Sequence, residues 1–570
     1  MNSNSIKRIR IILGLFCVCA FVIVCKLYIV QIVQGKEYAL KADKQYERNA
    51  VSTFDRGSVF FTSKNTIKVA AATVKEGYTL SLDPRLIKDP SNVYEALSQY
   101  VKLDKDSFIE KASKGDDPYE EIEKRLDREV GQSIASLKIP GVSVQKENWR
   151  VYPGDSLASH TLGLLGRDDT DKLAGRYGLE RFYESTLYRP NASGAKNFFA
   201  ELFSGIKGTL EGQGKEGDIL TSIEPTTQSS LEKILLETQK KWQSDAIGGI
   251  IMDPKTGAIY SLALRPTFNP NDLKDVKDAS VFSNALVENS YEMGSIIKPL
   301  AMAAGIDSGA ITAQSTYKDE GTLMLSGRKI SNYDGKARGV IPMQEILSQS
   351  LNTGVAYISL KMGKESFAKY FFDFGLGEKT GIDQPNEQKG LVKNLETGRD
   401  VEIATASYGQ GIAMTPVQTI RALATLANGG KLITPHLVTG IEYADGTTEI
   451  PEAFGQSQEV LKKETTDDVT RMLVKVVDTA LKKGEAKMEH YSIAAKTGTA
   501  QIADPRNGGY YDDRYLHSFF GYFPAYDPKF IVFLYHVYPK GAEYASETLT
   551  DPFMELARFL INYYEIPPDR

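Results

Sequence analysis

YEMGSIIKPLAMAAGID, residues 291–307, sets a serine, Ser295, three positions before a lysine, Lys298, where an apolar helical pattern opens. Residues at i and i+3 share one face of a helix, so the lysine amine can stand beside the serine hydroxyl. Where burial or a neighbouring cation depresses the lysine, its amine can take the hydroxyl proton and leave serine a nucleophile. Pro299 follows at once, and its missing N–H is tolerable in a first helical turn. Alone the spacing decides nothing, because S-x-x-K recurs at Ser143, Ser193, Ser204, Ser230, Ser315, Ser326 and Ser366.

Two further motifs give it weight. Ser350-Leu351-Asn352 lies about 55 residues on, between the helical patterns PMQEILSQS and NTGVAYISLKMG, where a loop presents a hydroxyl and an amide to a shared cleft. Lys496-Thr497-Gly498, followed by Thr499, stands about 145 residues beyond that and ends the apolar strand pattern YSIAAKTGTAQI. A cation and hydroxyls there can hold a substrate carboxylate, and the glycine lets a ligand approach the backbone. Each motif has decoys: Ser63-Lys64-Asn65, the hairpin turn Lys255-Thr256-Gly257, and Lys379-Thr380-Gly381 in a loop. Only one combination has the three in order with the lysine motif inside an apolar strand.

Around the motifs, GGIIMDPKTGAIYSLAL (248–264) reads as a hairpin joined by Asp-Pro-Lys-Thr-Gly. Helical patterns dominate from Ser295 to about Ala427, and strand patterns return at 491–503 and 517–538. A sheet with an early hairpin and late strands, helices lying between, is an α+β domain. The charged run DDPYEEIEKRLDREV at 116–130 reads as a solvated helix face, and Trp149, Tyr152 and His160 as packing residues.

The 570 residues allow three or four domains; 42% are hydrophobic and 25% charged, which excludes disordered, collagenous and multi-span membrane classes. A net charge of -5 argues against a dedicated nucleic-acid binder. The three cysteines, Cys17, Cys19 and Cys25, all lie near the start, so neither a disulfide framework nor a cysteine-ligated metal site is expected in the rest. They sit in an apolar stretch from Ile11 to Gly35, broken only by Lys26 and preceded by Lys7, Arg8 and Arg10. This reads as an uncleaved anchor with residues 1–10 inside the cytoplasm and the remainder outside.

The ordered set S-x-x-K, S-x-N and K-T-G is the signature of the serine β-lactamases and penicillin-binding proteins. With KLYIVQIVQGKEY, RGSVF, YGLERFYE, DILTSIEPTTQ, YGQGIAMTPVQ and HSFFGYFPA, the chain closely resembles a class B penicillin-binding protein over nearly its whole length. That resemblance implies a membrane anchor at 11–35, an elongated mixed α/β pedestal (dimerisation-type) domain at 36–217, and a transpeptidase domain at 218–565 built as an antiparallel sheet flanked by helices. It further implies Ser295 as nucleophile, Lys298 as its base, and Ser350 and Asn352 as proton relay and donor-binding groups. Lys496, Thr497 and Gly498 would bind near the substrate carboxylate, and the backbone N–H groups of Ser295 and Thr499 would form the oxyanion hole.

The activity implied is cross-linking of peptidoglycan stem pentapeptides with loss of D-Ala, without metal or organic cofactor. β-Lactams act in that family as covalent inhibitors. The implied partners are lipid-linked precursor strands, an integral-membrane glycan polymerase and other division proteins, with no nucleic acid. No Glu-Asp-x-x-Phe-like acid pair of a glycosyltransferase occurs within 36–217. YGQGIAMTPVQ and the length resemble the septal type, with the elongation type as the alternative. A β-lactamase or β-lactam sensor, and an inactive division scaffold, share the fold. The chain departs from the family in having YEMG for the usual YEPG, SLN for SSN, and FTSKN where many members carry an Asp-Arg-Asn-Gly turn.

Overall fold

A computed structural model describes Lys26 and residues 54–169, 172–189, 216–443, 445–451 and 456–570. The expected tail at 1–10 and, apart from Lys26, the expected anchor at 11–35 lie outside these. Among the described residues no helix is long and apolar enough to cross a membrane. The chain divides into two compact units, a smaller one that includes Lys75–Trp149 and a larger one of Arg56–Val74, Arg150–Arg189 and Glu211–Arg570.

The smaller unit closes over Leu80, Leu82, Leu97, Phe108, Leu126 and Ile134. Its helices Pro90–Ser98 and Lys105–Ala112 start where sequence chemistry directs. Asp89 and Asp104 accept the first free backbone N–H groups, and Pro90 occupies the first helical position. The charged run departs from the expected helix. Glu120–Leu126 is a strand, paired antiparallel with Tyr78–Leu82, and the helix begins only at Arg128. Pairing to a strand that carries Leu80 and Leu82 outweighs the helical composition, and Leu126 is buried by it. The carboxylates of Glu120 and Glu121 pair with Lys114 and Lys124.

The larger unit holds a five-stranded antiparallel sheet in the order Ala494–Ala503, Tyr510–Phe523, Phe530–Val537, Ala246–Met252, Ile259–Arg265. The strands Phe530–Val537, Ala246–Met252 and Ile259–Arg265 are apolar at nearly every position because both faces are covered, whereas Ala494–Ala503 and the first half of Tyr510–Phe523 carry polar residues. Ile247, Ile251, Phe519 and Phe523 pack with Leu231, Leu235, Phe553 and Leu556 of the helices Pro225–Trp242 and Thr550–Tyr563. Their neighbours Ile250, Met252, Phe520 and Tyr522 point the other way, into the core shared by the helices Lys298–Asp307, Asn352–Met362 and Pro416–Ala427. A period of two thus divides each strand between two cores. The predicted helical span 295–427 is interrupted by two small antiparallel pairs, Thr316–Asp319 with Gly339–Pro342 and Thr322–Leu325 with Arg328–Ser331. The strand expected to begin at 517 starts at Tyr510. The early hairpin lies at the opposite edge from Ala494–Ala503, which leaves the lysine motif on an edge strand.

Candidate active site

Ser295 lies in a single 3-10 turn, Gly294–Ile297, and Lys298 opens the α-helix that follows, with Pro299 in its first turn. Two glycines let this turn press against the edge strand. A Cβ at Gly498 would stand 2.4 Å from Ser518 Oγ and 2.6 Å from the Met293 carbonyl. Gly294, at φ 64°, would place a Cβ 2.5 Å from the Thr499 carbonyl, so both its conformation and its surroundings demand glycine. Ser518 Oγ donates to the Met293 carbonyl at 2.7 Å and holds the turn from the sheet side. The Gly294 N–H donates to the Gly409 carbonyl, and Tyr291 and Met414 exchange both backbone hydrogen bonds, which holds it from the other.

Ser350 ends the loop between the helices Met343–Ser348 and Asn352–Met362 at φ 56°, a left-handed conformation that costs a serine about 1–2 kcal/mol. The contacts that hold it there converge on two lysines. Lys298 Nζ donates to the Ser350 carbonyl at 2.5 Å, to Asn352 Oδ1 at 2.8 Å and toward Ser350 Oγ at 3.3 Å. Lys496 Nζ reaches the same Oγ at 3.0 Å and donates to the Thr497 carbonyl at 2.9 Å. One hydroxyl therefore joins two buried amines, and neither amine has an ion-pair partner among the described residues. Burial pushes Lys298 well below the ordinary lysine range, with the charge of Lys496 adding to the effect. Burial brings Lys496 down to about 7. A neutral amine on such a chain can accept a proton, and a hydroxyl beside it can pass one on.

A cleft of about 590 Å³ is lined by Ser295, Ser350, Asn352, Lys496, Thr497 and Thr499, with Tyr333, Tyr408 and Tyr544 among its walls. Six of the eight residues singled out from sequence thus line one space; Lys298 is buried behind it, bonded to Ser350 and Asn352, and Gly498 is the contact point behind the turn. The decoys stay apart. Lys255-Thr256-Gly257 is the hairpin turn, and Lys379-Thr380-Gly381 is bound up with Glu387, which accepts from the N–H and hydroxyl of Thr380.

Several supporting residues carry no motif and escaped sequence reasoning. Asp319, whose side chain is fully buried, accepts from Thr353 Oγ1 at 2.8 Å, Asn332 Nδ2 at 3.0 Å, and the Gly321 and Arg338 N–H groups. Asn332 in turn accepts the Thr353 N–H, immediately beyond Asn352. Replacing Asp319 by alanine strands these donors, and we expect a loss of about 3 kcal/mol in urea denaturation together with slower acylation of Ser295. An unchanged midpoint would contradict this account. Behind the other wall, His517 Nε2 donates to the Glu543 carbonyl, and Thr548 Oγ1, which donates toward the Ala545 carbonyl, lies 2.9 Å from both His517 Nδ1 and His536 Nε2. This cluster is buried, which holds both imidazoles below the ordinary histidine range, His517 at about 4. It seats the Glu543–Ala545 wall, where the Ala545 N–H donates to Thr499 Oγ1.

A serine in a tight turn, a depressed lysine on the next turn and a second lysine on an edge strand define a serine acyl transferase. Residues 247–555 match the penicillin binding protein transpeptidase domain, and residues 56–194 the penicillin-binding protein dimerisation domain. The chain belongs to the penicillin-binding protein transpeptidase family; it is a class B member, a peptidoglycan D,D-transpeptidase. Among curated relatives, Stage V sporulation protein D of Bacillus subtilis is 29% identical, the alignment covering 97% of this chain and 85% of that one. The peptidoglycan D,D-transpeptidase FtsI of Buchnera aphidicola is 24% identical over 96% of this chain and 93% of its own. Penicillin Binding Protein 2X of Streptococcus thermophilus has the same fold, with a TM-score of 0.74 at 20% identity over 91% of this chain and 81% of that structure.

Proposed function

We propose that the chain cross-links septal peptidoglycan through an acyl-enzyme on Ser295. Ser295 Oγ attacks the carbonyl of the penultimate D-Ala, the bond to the terminal D-Ala breaks, and D-Ala leaves with the proton that Lys298 and Ser350 have carried. An amine of a neighbouring stem then displaces Ser295. Lys496 and Thr497 hold the donor carboxylate, Asn352 the donor amide, and the N–H groups of Ser295 and Thr499 the oxyanion. Penicillins acylate Ser295 as substrate mimics. The observation that carries this reading is the Ser350 hydroxyl held between two buried lysine amines that have no acid partner.

Residues 11–35 anchor the protein in a bacterial cytoplasmic membrane with the N-terminus inside, residues 36–217 serve as a pedestal, and 218–565 carry the chemistry outside. An integral-membrane glycan polymerase supplies the strands. The similarity to a sporulation protein favours a second reading, the same chemistry deployed in spore formation. Fluorescent penicillin on the purified protein tests the acyl-enzyme: a stable label is expected, rapid turnover would indicate a β-lactamase, and no label a scaffold. A fluorescent fusion separates the roles, with signal at mid-cell supporting the septal one, along the side wall the elongation one, and at the forming spore the second reading.

A further inference from the structure

One wall of the cleft is a strained piece of chain. The helix Lys463–Lys475 loosens at its end into a π-helical turn, Val476–Ala480, and then a 3-10 turn, Leu481–Gly484. Val476, Ala480, Leu481 and Lys482 line the same cleft as Ser295. Lys482 at φ 47°, Lys483 at φ 59° and Gly484 at φ 90° are left-handed in succession, a run that two lysines keep only where their surroundings over-determine it. π-Helical turns of this kind concentrate at functional sites.

The surroundings that hold this wall come largely from residues 566–570. Arg570 grips both oxygens of Asp478, in the π-helical turn, at 2.6 and 2.9 Å, and donates to the Met488 carbonyl at 2.6 Å. Such a fork fixes direction as well as distance. The Asp569 carboxylate accepts the Ser492 N–H at 2.7 Å and the Ser492 hydroxyl, while the Asp569 N–H donates to the His490 carbonyl. The Tyr491 hydroxyl donates to the Ile566 carbonyl at 3.1 Å. Ser492 stands two residues before the edge strand that carries Lys496, so these bonds tie down both the wall and the root of that strand. Lys482 itself pairs with Asp551, in the first turn of the helix Thr550–Tyr563, which grips the wall from the other end.

We propose that Asp569 and Arg570 are positioning residues for the acylation of Ser295, holding the wall at 476–482 in the shape that receives the acyl donor. This rests on the Ser295 acyl-enzyme reading. Once Asp478 is released, Lys482 and Lys483 relax out of the left-handed conformation and the wall shifts against the cleft. The hydrogen bonds that join Lys298, Ser350 and Lys496 involve none of residues 566–570, so the proton path stays intact. The loss falls on how well the donor seats, not on how fast a seated donor reacts.

The test is turnover of an N-acyl-D-alanyl thioester by the whole chain in detergent, with active sites counted by fluorescent penicillin so that misfolded protein drops out of the rate. Arg570→Gln and Asp478→Asn are each expected to raise KM about fivefold and to leave kcat per labelled site within about twofold. The double variant is expected to match the single ones, because both remove the same interaction. Lys483→Gly supplies a second arm. Glycine adopts φ 59° without cost, so the wall needs less holding, and adding this change to Arg570→Gln is expected to bring KM back toward the wild type. A purely structural role would lower the number of labelled sites and leave KM unchanged, and that result overturns the proposal. So does a raised KM that glycine at 483 fails to lower. A wild type that neither takes label nor turns over thioester overturns the acyl-enzyme reading, and the positioning role with it.

Discussion

Exchange of Ser295 for alanine is expected to leave no penicillin label and to lower D-Ala release by about 10⁶-fold, to the level that binding and the oxyanion donors alone sustain. The fold should be indifferent to the change. Ser295 is half-buried in its turn, and the hydrogen bonds that fix the turn come from the backbone of Tyr291, Gly294 and Met414 and from Ser518, not from the Ser295 hydroxyl. Mass spectrometry of the penicillin-treated protein checks the result: an adduct on wild type and none on the variant is expected. An adduct that persists on the variant would move the nucleophile elsewhere, and Ser350 would be the place to look.

Replacement of Lys298 by methionine is expected to act in opposite directions on activity and stability. The acylation rate should fall about 10³-fold, because the Ser295 proton loses its acceptor. Stability should rise, because the wild-type fold holds a buried amine whose pKa is depressed, even though the variant gives up the hydrogen bonds to Ser350 and Asn352. For a lysine with a lowered folded-state pKa, the unfolded chain binds more protons between the folded value and the usual value. Wild-type stability therefore climbs as pH rises through that window and is lowest below it, whereas the methionine variant escapes this penalty. The same logic fixes the pH dependence of acylation: its acid limb follows the protonation of the coupled lysines, with Lys496 titrating near 7. Denaturant midpoints across pH 6 to 10, measured beside acylation rates, test both. A variant less stable than wild type at pH 7 would mean that the amine is held as a charge and not as a base.

Much of this architecture was legible in the residues. The motifs could be ordered because each sits where secondary structure changes: Ser295 at a helix start, Ser350 between two helices, Lys496 in an apolar strand. Those are local signals with fixed spacing. The sheet was legible as a hairpin plus late strands, since burial on both faces leaves apolar runs in Ala246–Met252, Ile259–Arg265 and Phe530–Val537. What escaped depends on contacts distant in sequence. Glu120–Leu126 has a helix-like composition and became a strand only because another strand was there to pair with. Asp319 looks like any turn aspartate, and its role comes from Thr353, 34 residues away. His517 carries no visible cue that it would share a hydroxyl with His536 across adjacent strands.

The close approach of Gly294 and Gly498 has an evolutionary consequence. Any side chain at either position would drive an atom into backbone or into Ser518 at distances atoms do not tolerate. A population selected under an agent that occupies this cleft would therefore have almost no room to vary the turn that carries Ser295 or the strand facing it. Its escape routes run along the rim, through wall residues such as Tyr333, Tyr408, Gln410 and Tyr544, where changes of shape alter which acylating agents fit. Inherited resistance in this chain should accumulate there, as several small alterations and not as one decisive exchange at the reacting atoms.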